Sequence, residues 1–133
     1  MRSISELLGR RRNLKKIYSF FEGTENPDES MGDLIVDAIE TGIGYWCELW
    51  PDVKGKSEFY SERVWEAVKA GYVLEFGSDD DKGTLSLSSI VKGLDLVMKK
   101  YPRYYTDIKE ENYDAISADV FFQSAIFGEV IFG

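Results

Sequence analysis

The sequence predicts an α+β domain of about five helices packed with a small antiparallel β-sheet. Three observations predict it. Apolar residues recur at three- and four-residue intervals in several separate stretches, the period of one helix face. Two short stretches, "YVLEF" and "TLSL", alternate instead, as strands do. The 133 residues are 44% hydrophobic and 14% aromatic, with 30% charged residues well mixed among them, the composition of a single core former.

The first helix is expected in "SISELLGRRRNLKKIYSFFEG", where Ser3 and Glu6 have capping-box spacing and Ile4, Leu7, Leu8, Leu14, Ile17, Tyr18 and Phe21 form a stripe. Gly9 weakens it by about 1 kcal/mol relative to alanine. Arg10, Arg11, Arg12, Lys15 and Lys16 surround much of this helix, so residues 1–22 read as a basic amphipathic arm on an acidic domain spanning 23–133. A second helix is expected from near Ser30, with Met31, Leu34, Ile35, Ala38, Ile39, Gly42 and Ile43 on one face. "YWCELW" then suits a half-buried strand that Pro51 stops.

Ser57 opens a third expected helix, with Tyr60, Val64, Ala67 and Val68 on its face and Gly71 at its C-terminal cap. Residues 72–87 read as a β-hairpin around the polar turn "GSDDDKG". The fourth helix runs from about Ser88 to Tyr101, where Pro102 ends it, and "RYYTDIKEENYD" follows as a polar connection. The last helix starts near Ser117 in "ADVFFQSAIFGEVIFG" and is apolar nearly all round, as a helix buried on most sides must be. Asp119 is expected in its first turn, favouring the helix dipole, with Gln123 one turn on along the same face and bonded within the chain. Gly128 fits the helix end, so "EVIFG" leaves as an extended tail.

Charge is divided unevenly. Net charge is −8, yet residues 1–16 hold six Lys or Arg against Glu6 alone. The remainder therefore carries ten positive against 23 negative charges, about −13. Such a body repels phosphates and attracts basic protein surfaces, and it also favours solubility. The basic cluster is open to three uses: neutralising nucleic-acid phosphates, docking on the acidic body of a neighbouring subunit, or a solvated helix face.

Several chemistries are excluded or unsupported. Histidine is absent, which removes Ser-His-Asp and Cys-His arrangements and the imidazole ligands of most catalytic zinc sites. Cys47 is the single cysteine, so no internal disulfide forms, and it reads as a small core residue in a reducing, cytoplasmic compartment. Asp79, Asp80 and Asp81 offer hard oxygens, but Gly83 and Ile90 stand where an EF-hand loop needs acidic ligands, so a solvated turn is the better reading. The glycines form no phosphate-binding pattern, and no apolar run reaches the roughly 20 residues of a membrane span. No catalytic, metal or cofactor residues are therefore assigned. Tyr104 and Tyr105 are candidate contact residues, equally at home in a core.

The C-terminal residues Ala118, Asp119, Gln123, Phe127, Gly128, Glu129 and Gly133, with Trp65, Gly71 and Gly93 further back, resemble a group of small uncharacterised proteins from phages and related mobile elements. The resemblance covers residues 34–133 and omits the basic arm. It implies a setting and no activity. With the acidic body, it leads to the expectation of a non-catalytic phage or mobile-element protein that binds a basic partner protein, such as an anti-CRISPR-like inhibitor of a host nucleic-acid-binding defence complex. The alternatives are a homo-oligomeric structural or accessory phage protein, and nucleic-acid binding through the arm.

Overall fold

Asn26 and Pro27 decide where the second helix begins. The computed structural model describes residues 3–133. In it α1 spans Ile4–Phe20 and α2 spans Pro27–Asp37. The Asn26 side chain accepts from the Glu29 N–H at 3.3 Å, and Pro27, with no N–H to lose, takes the first turn. The helix expected from Ser30 thus starts three residues earlier.

Ser3 caps α1, accepting from the Glu6 N–H at 3.2 Å. The stripe predicted for α1 is divided along its length. Ile17 and the following Phe21 are fully buried, whereas Ile4 is 77% exposed and Leu7 and Leu8 are also exposed. The second half of the predicted arm is therefore a wall of the core, packed on α2 and α4, and its first turns carry an uncovered apolar face. Arg2, counted in the arm, lies outside the described residues.

After α2 the chain widens into a π-helical turn, Ala38–Gly42, in which the Ile43 N–H reaches back to the Ala38 carbonyl at 2.8 Å. This departs from the simple helix expected through Ile43. It sets Gly42 against the last helix, where an added Cβ would stand 3.0 Å from the Ala115 carbonyl oxygen. "YWCELW" is not a strand. The Ile43 carbonyl accepts from the N–H groups of both Trp46 and Cys47, which curls the chain into a turn, and both side chains are buried where a strand would alternate. Only Leu49 makes an isolated bridge, to Gly77.

The loop before α3 (Tyr60–Lys69) is tied down by Arg63, whose guanidinium donates to the carbonyls of Val53, Ser57 and Glu58 at 2.8, 3.0 and 3.0 Å. Strands β1 (Leu74–Gly77) and β2 (Lys82–Leu85) pair antiparallel, Leu74 opposite Leu85, within the hairpin expected at 72–87. The helix α4, Leu87–Lys100, follows, with Ser86 and Ser89 capping each other.

The connection "RYYTDIKEENYD" hides a further helix, α5, at Pro102–Lys109. Pro102 ends α4 as expected but also occupies the first turn of α5, where its fixed φ is an advantage. Among the described residues the domain thus has six α-helices and one two-stranded sheet, an α+β fold.

The last helix, α6, spans Ala115–Phe127 and begins two residues before the expected Ser117, with Asp114 accepting from the Ser117 N–H at 3.0 Å. It is the axis of the fold. Residues 117–126 are all buried, against α2, α4, α5, β2 and the π-helical turn. Glycines let these neighbours approach: a Cβ on Gly93 of α4 would lie 2.7 Å from the Ala125 Cα, and one on Gly83 of β2 would lie 2.2 Å from the Ile126 carbonyl oxygen. Among the described residues no helix is long and apolar enough to cross a membrane.

Candidate interaction surface

Asp119 and Gln123 form a latch on the C-terminal tail. Asp119 is buried in the second turn of α6 and does not serve the helix dipole as expected; Asp114 holds the cap. Instead its carboxylate accepts from Tyr45 Oη at 2.6 Å, Trp46 Nε1 at 2.8 Å and Gln123 Nε2 at 2.9 Å. The Gln123 carbonyl oxygen in turn accepts from the backbone N–H groups of Ile131 and Phe132, both at 2.9 Å. Gly128, at φ 74°, makes the left-handed C-cap that turns the tail back. Phe132 then stacks on Trp46, centroids 4.9 Å apart and planes within 5°, while Phe127 packs beside both rings. Glu129 is exposed. The bonds of Asp119 and Gln123 are made inside their own chain, and every oxygen and nitrogen of the pair is engaged in holding the tail.

Other predicted residues fall elsewhere. Asp79, Asp80 and Asp81 are exposed at the hairpin turn, closed by the Ser78 N–H to the Asp81 carbonyl at 2.8 Å. Tyr104 and Tyr105 are partly buried at the edge of the core, Tyr105 edge-on to Phe20 at 5.3 Å. Arg11, Arg12, Lys15 and Lys16 are exposed along α1, while Arg10 donates to the Ala70 carbonyl at 3.2 Å. The structure does not bring the basic cluster, the hairpin aspartates and the tyrosines into one site. Cys47 is buried, its thiol donating to the Leu49 carbonyl at 3.3 Å, and burial pushes its pKa up.

A feature not singled out in the sequence is the acidic face of α2. Glu29, Asp33 and Asp37 recur four residues apart, and Glu40 continues the line into the π-helical turn. Helix α3 lays Glu62 and Glu66 beside them, and Glu111 approaches from the loop after α5. Between α2 and α3 runs a groove of about 420 Å³, lined by Asp28, Glu29, Asp33, Glu62 and Glu66 with Gly32, Val36 and Trp65, and closed at one end by Lys69, which pairs with Asp28 at 3.1 Å and lies over the Trp65 ring. Partial burial, then the charges of Glu29, Asp37, Glu111 and Glu62, raise the Asp33 pKa above its usual value; burial and Glu40 raise that of Asp37. Burial raises the neighbouring Tyr113 phenol too, and Asp37, Asp33 and Glu111 add to it. The i,i+4 carboxylate spacing is legible in the sequence; the additions from α3 and Glu111 are tertiary.

Like charges this close destabilise a helix, by about 0.2–0.5 kcal/mol per i,i+4 pair. Chemically the face is a row of cation acceptors. Among the described residues no three acidic or thiol groups converge in a way that would hold a metal ion. The carboxylates are strung along two helices, which suits an extended partner bearing several ammonium or guanidinium groups.

No protein-family model matches the chain, and neither a curated protein nor a solved structure matches it.

Proposed function

We propose that this protein is a non-catalytic binder of a basic protein surface and that the α2–α3 carboxylate face is where it binds. The observation that carries this reading is the row Glu29, Asp33, Asp37 and Glu40 with Glu62 and Glu66 alongside, held together against its own repulsion. A cationic partner relieves that repulsion and gains association rate from the field of the acidic body. In the phage or mobile-element setting that the C-terminal residues evoke, the partner is the basic nucleic-acid channel of a host defence complex in the cytoplasm, occupied in the manner of an anti-CRISPR inhibitor.

The test is binding of purified protein to a panel of basic nucleic-acid enzymes across a salt series. Affinity that falls with salt and is lost in Asp33→Lys supports the reading; no salt-sensitive binding to any of them overturns it.

A second reading rests on the exposed Arg11, Arg12, Lys15 and Lys16, which are free to meet phosphates. It predicts DNA or RNA affinity that falls steeply with salt and vanishes when Arg10, Arg11 and Arg12 are replaced.

A further inference from the structure

The charges of this chain are separated and left unanswered. Among the described residues the only ion pairs are Lys69 with Asp28 at 3.1 Å and Lys99 with Asp95 at 2.9 Å. Among the described residues Arg11, Arg12, Lys15 and Lys16 on α1 meet no carboxylate, and no cation pairs with Glu29, Asp33, Glu62 or Glu66. Two further groups lack partners at these same places. The first turns of α1 expose Ile4 and Leu8 at 77% and 45%. In the α2–α3 groove, Trp65 is 5% exposed and its indole N–H finds no acceptor.

The two features are complementary in sign, and each sets apolar groups beside charged ones. Ile4, Leu8, Arg11 and Lys15 follow one another at four-, three- and four-residue intervals, so they line one face of α1, apolar at the tip and basic behind it. The groove combines the same two elements, apolar Gly32, Val36 and Trp65 together with the unpaired carboxylates Glu29, Asp33, Glu62 and Glu66, while its single cation, Lys69, is taken up by Asp28. Because α1 is one unbroken helix from Ile4 to Phe20, its tip stays an extension of the helix rather than a free strand of chain.

We propose that the α1 tip of a second copy of this chain occupies the α2–α3 groove. Ile4 and Leu8 of the incoming helix cover the apolar residues of the groove, and Arg11 and Lys15 pair with its carboxylates, with Glu29 and Asp33 foremost. Exchange of tips in both directions closes a two-fold dimer, in which each contact is made twice. The proposal rests on the reading of this groove as a protein-binding surface and names one occupant; the self-contact then competes with the basic partner for the same carboxylates, so dissociation frees the binding face.

Sedimentation of the full chain at low and high salt tests this. A concentration-dependent dimer at low salt that dissociates as salt rises is expected. Two charge-reversed variants sharpen the test: Arg11→Glu with Lys15→Glu in the arm, and Glu29→Lys with Asp33→Lys in the groove. Each alone weakens self-association by about tenfold or more, as loss of two close charge pairs at an interface does. Mixed in equal amounts they recover a heterodimer, because the reversed arm meets the reversed groove while the other contact keeps the native charges on both sides, and recovery also shows that both variants fold. Wild-type chain that stays monomeric at millimolar concentration and low salt overturns the proposal, as does a monomer that instead binds anionic vesicles through α1. The arm variant keeps the groove carboxylates, so its salt-sensitive binding to basic enzymes separates the two readings: retained binding with no wild-type dimer leaves the partner surface standing and removes only the self-contact.

Discussion

Trp46 donates its indole N–H to Asp119 at 2.8 Å across 73 residues of sequence, and this bond fixes the C-terminal half of the fold to the turn after α2. The same carboxylate holds Tyr45 and Gln123, and Gln123 holds the tail. Replacing Asp119 by alanine leaves the buried Trp46 indole N–H without an acceptor and Gln123 Nε2 with only the Phe132 carbonyl, 3.3 Å away. At about 1–3 kcal/mol for an orphaned buried donor, a loss of about 2 kcal/mol is expected. Urea unfolding monitored by tryptophan fluorescence measures it; a loss within error of zero would show that water satisfies these donors instead.

Glycine substitutions separate open from closed positions. Gly9 on α1 has only the Arg12 side chain near its added Cβ, at 3.8 Å, so Gly9→Ala gains helix propensity and is expected to stabilise by about 1 kcal/mol. The same change at Gly93 gains as much propensity but drives a Cβ to 2.7 Å from the Ala125 backbone. Overpacking of about 1–3 kcal/mol or more outweighs the gain there, and a net loss follows. Thermal melts of the two variants should move in opposite directions.

The α2 carboxylates carry a pH signature. A carboxyl whose pKa is higher folded than unfolded binds more protons in the native state, so stability falls as pH rises from the ordinary aspartate value of 3.8 through the raised one, and stays lower above it. Asp33→Asn removes the repulsion from Glu29 and Asp37 and is expected to stabilise the protein at neutral pH by about 0.5–1 kcal/mol, two i,i+4 pairs' worth. The gain should vanish at low pH, where the carboxyls are protonated. Denaturant midpoints of both proteins across acidic and neutral pH check it, and an equal gain at every pH would assign the effect to something other than charge.

Burial, followed by its bond to Asp119, pushes the Tyr45 phenol up to about 12. The native state therefore holds the phenolic proton longer than the unfolded chain, and stability present at neutral pH declines as pH rises from the ordinary tyrosine value of 10.0 towards about 12. In Tyr45→Phe the late-titrating phenol should disappear from the ultraviolet titration, with about 1 kcal/mol lost at neutral pH for the missing hydrogen bond. An unchanged titration would place the high value on other tyrosines alone.

Much of the fold was legible in local pattern. The helical faces of α3 and α4, the second half of α1, the hairpin and the αL position of Gly128 all follow from periodicity and turn chemistry, which act over a few residues; the exposed Ile4, Leu7 and Leu8 share the α1 stripe but not its burial. The misses are equally physical. Helix α5 has only eight residues, too short for a periodic signal beside its polar neighbours, and Pro102 both ends one helix and starts the next. "YWCELW" has the aromatic composition of a strand, but the π-helical turn before it directs two amides to one carbonyl, which composition cannot express.

The sequence by itself determined an acidic α+β chain with a basic first helix and a terminal helix apolar on all sides, because composition and periodicity record how much surface must be buried and on which face. The tertiary structure decided what the polar residues of that last helix are for, and it brought Glu62, Glu66 and Glu111 beside Glu29 and Asp33. Hydrogen bonds and charge fields act through space between groups far apart in the chain, so only the packed fold could turn Asp119 into a latch and a line of helix carboxylates into a surface.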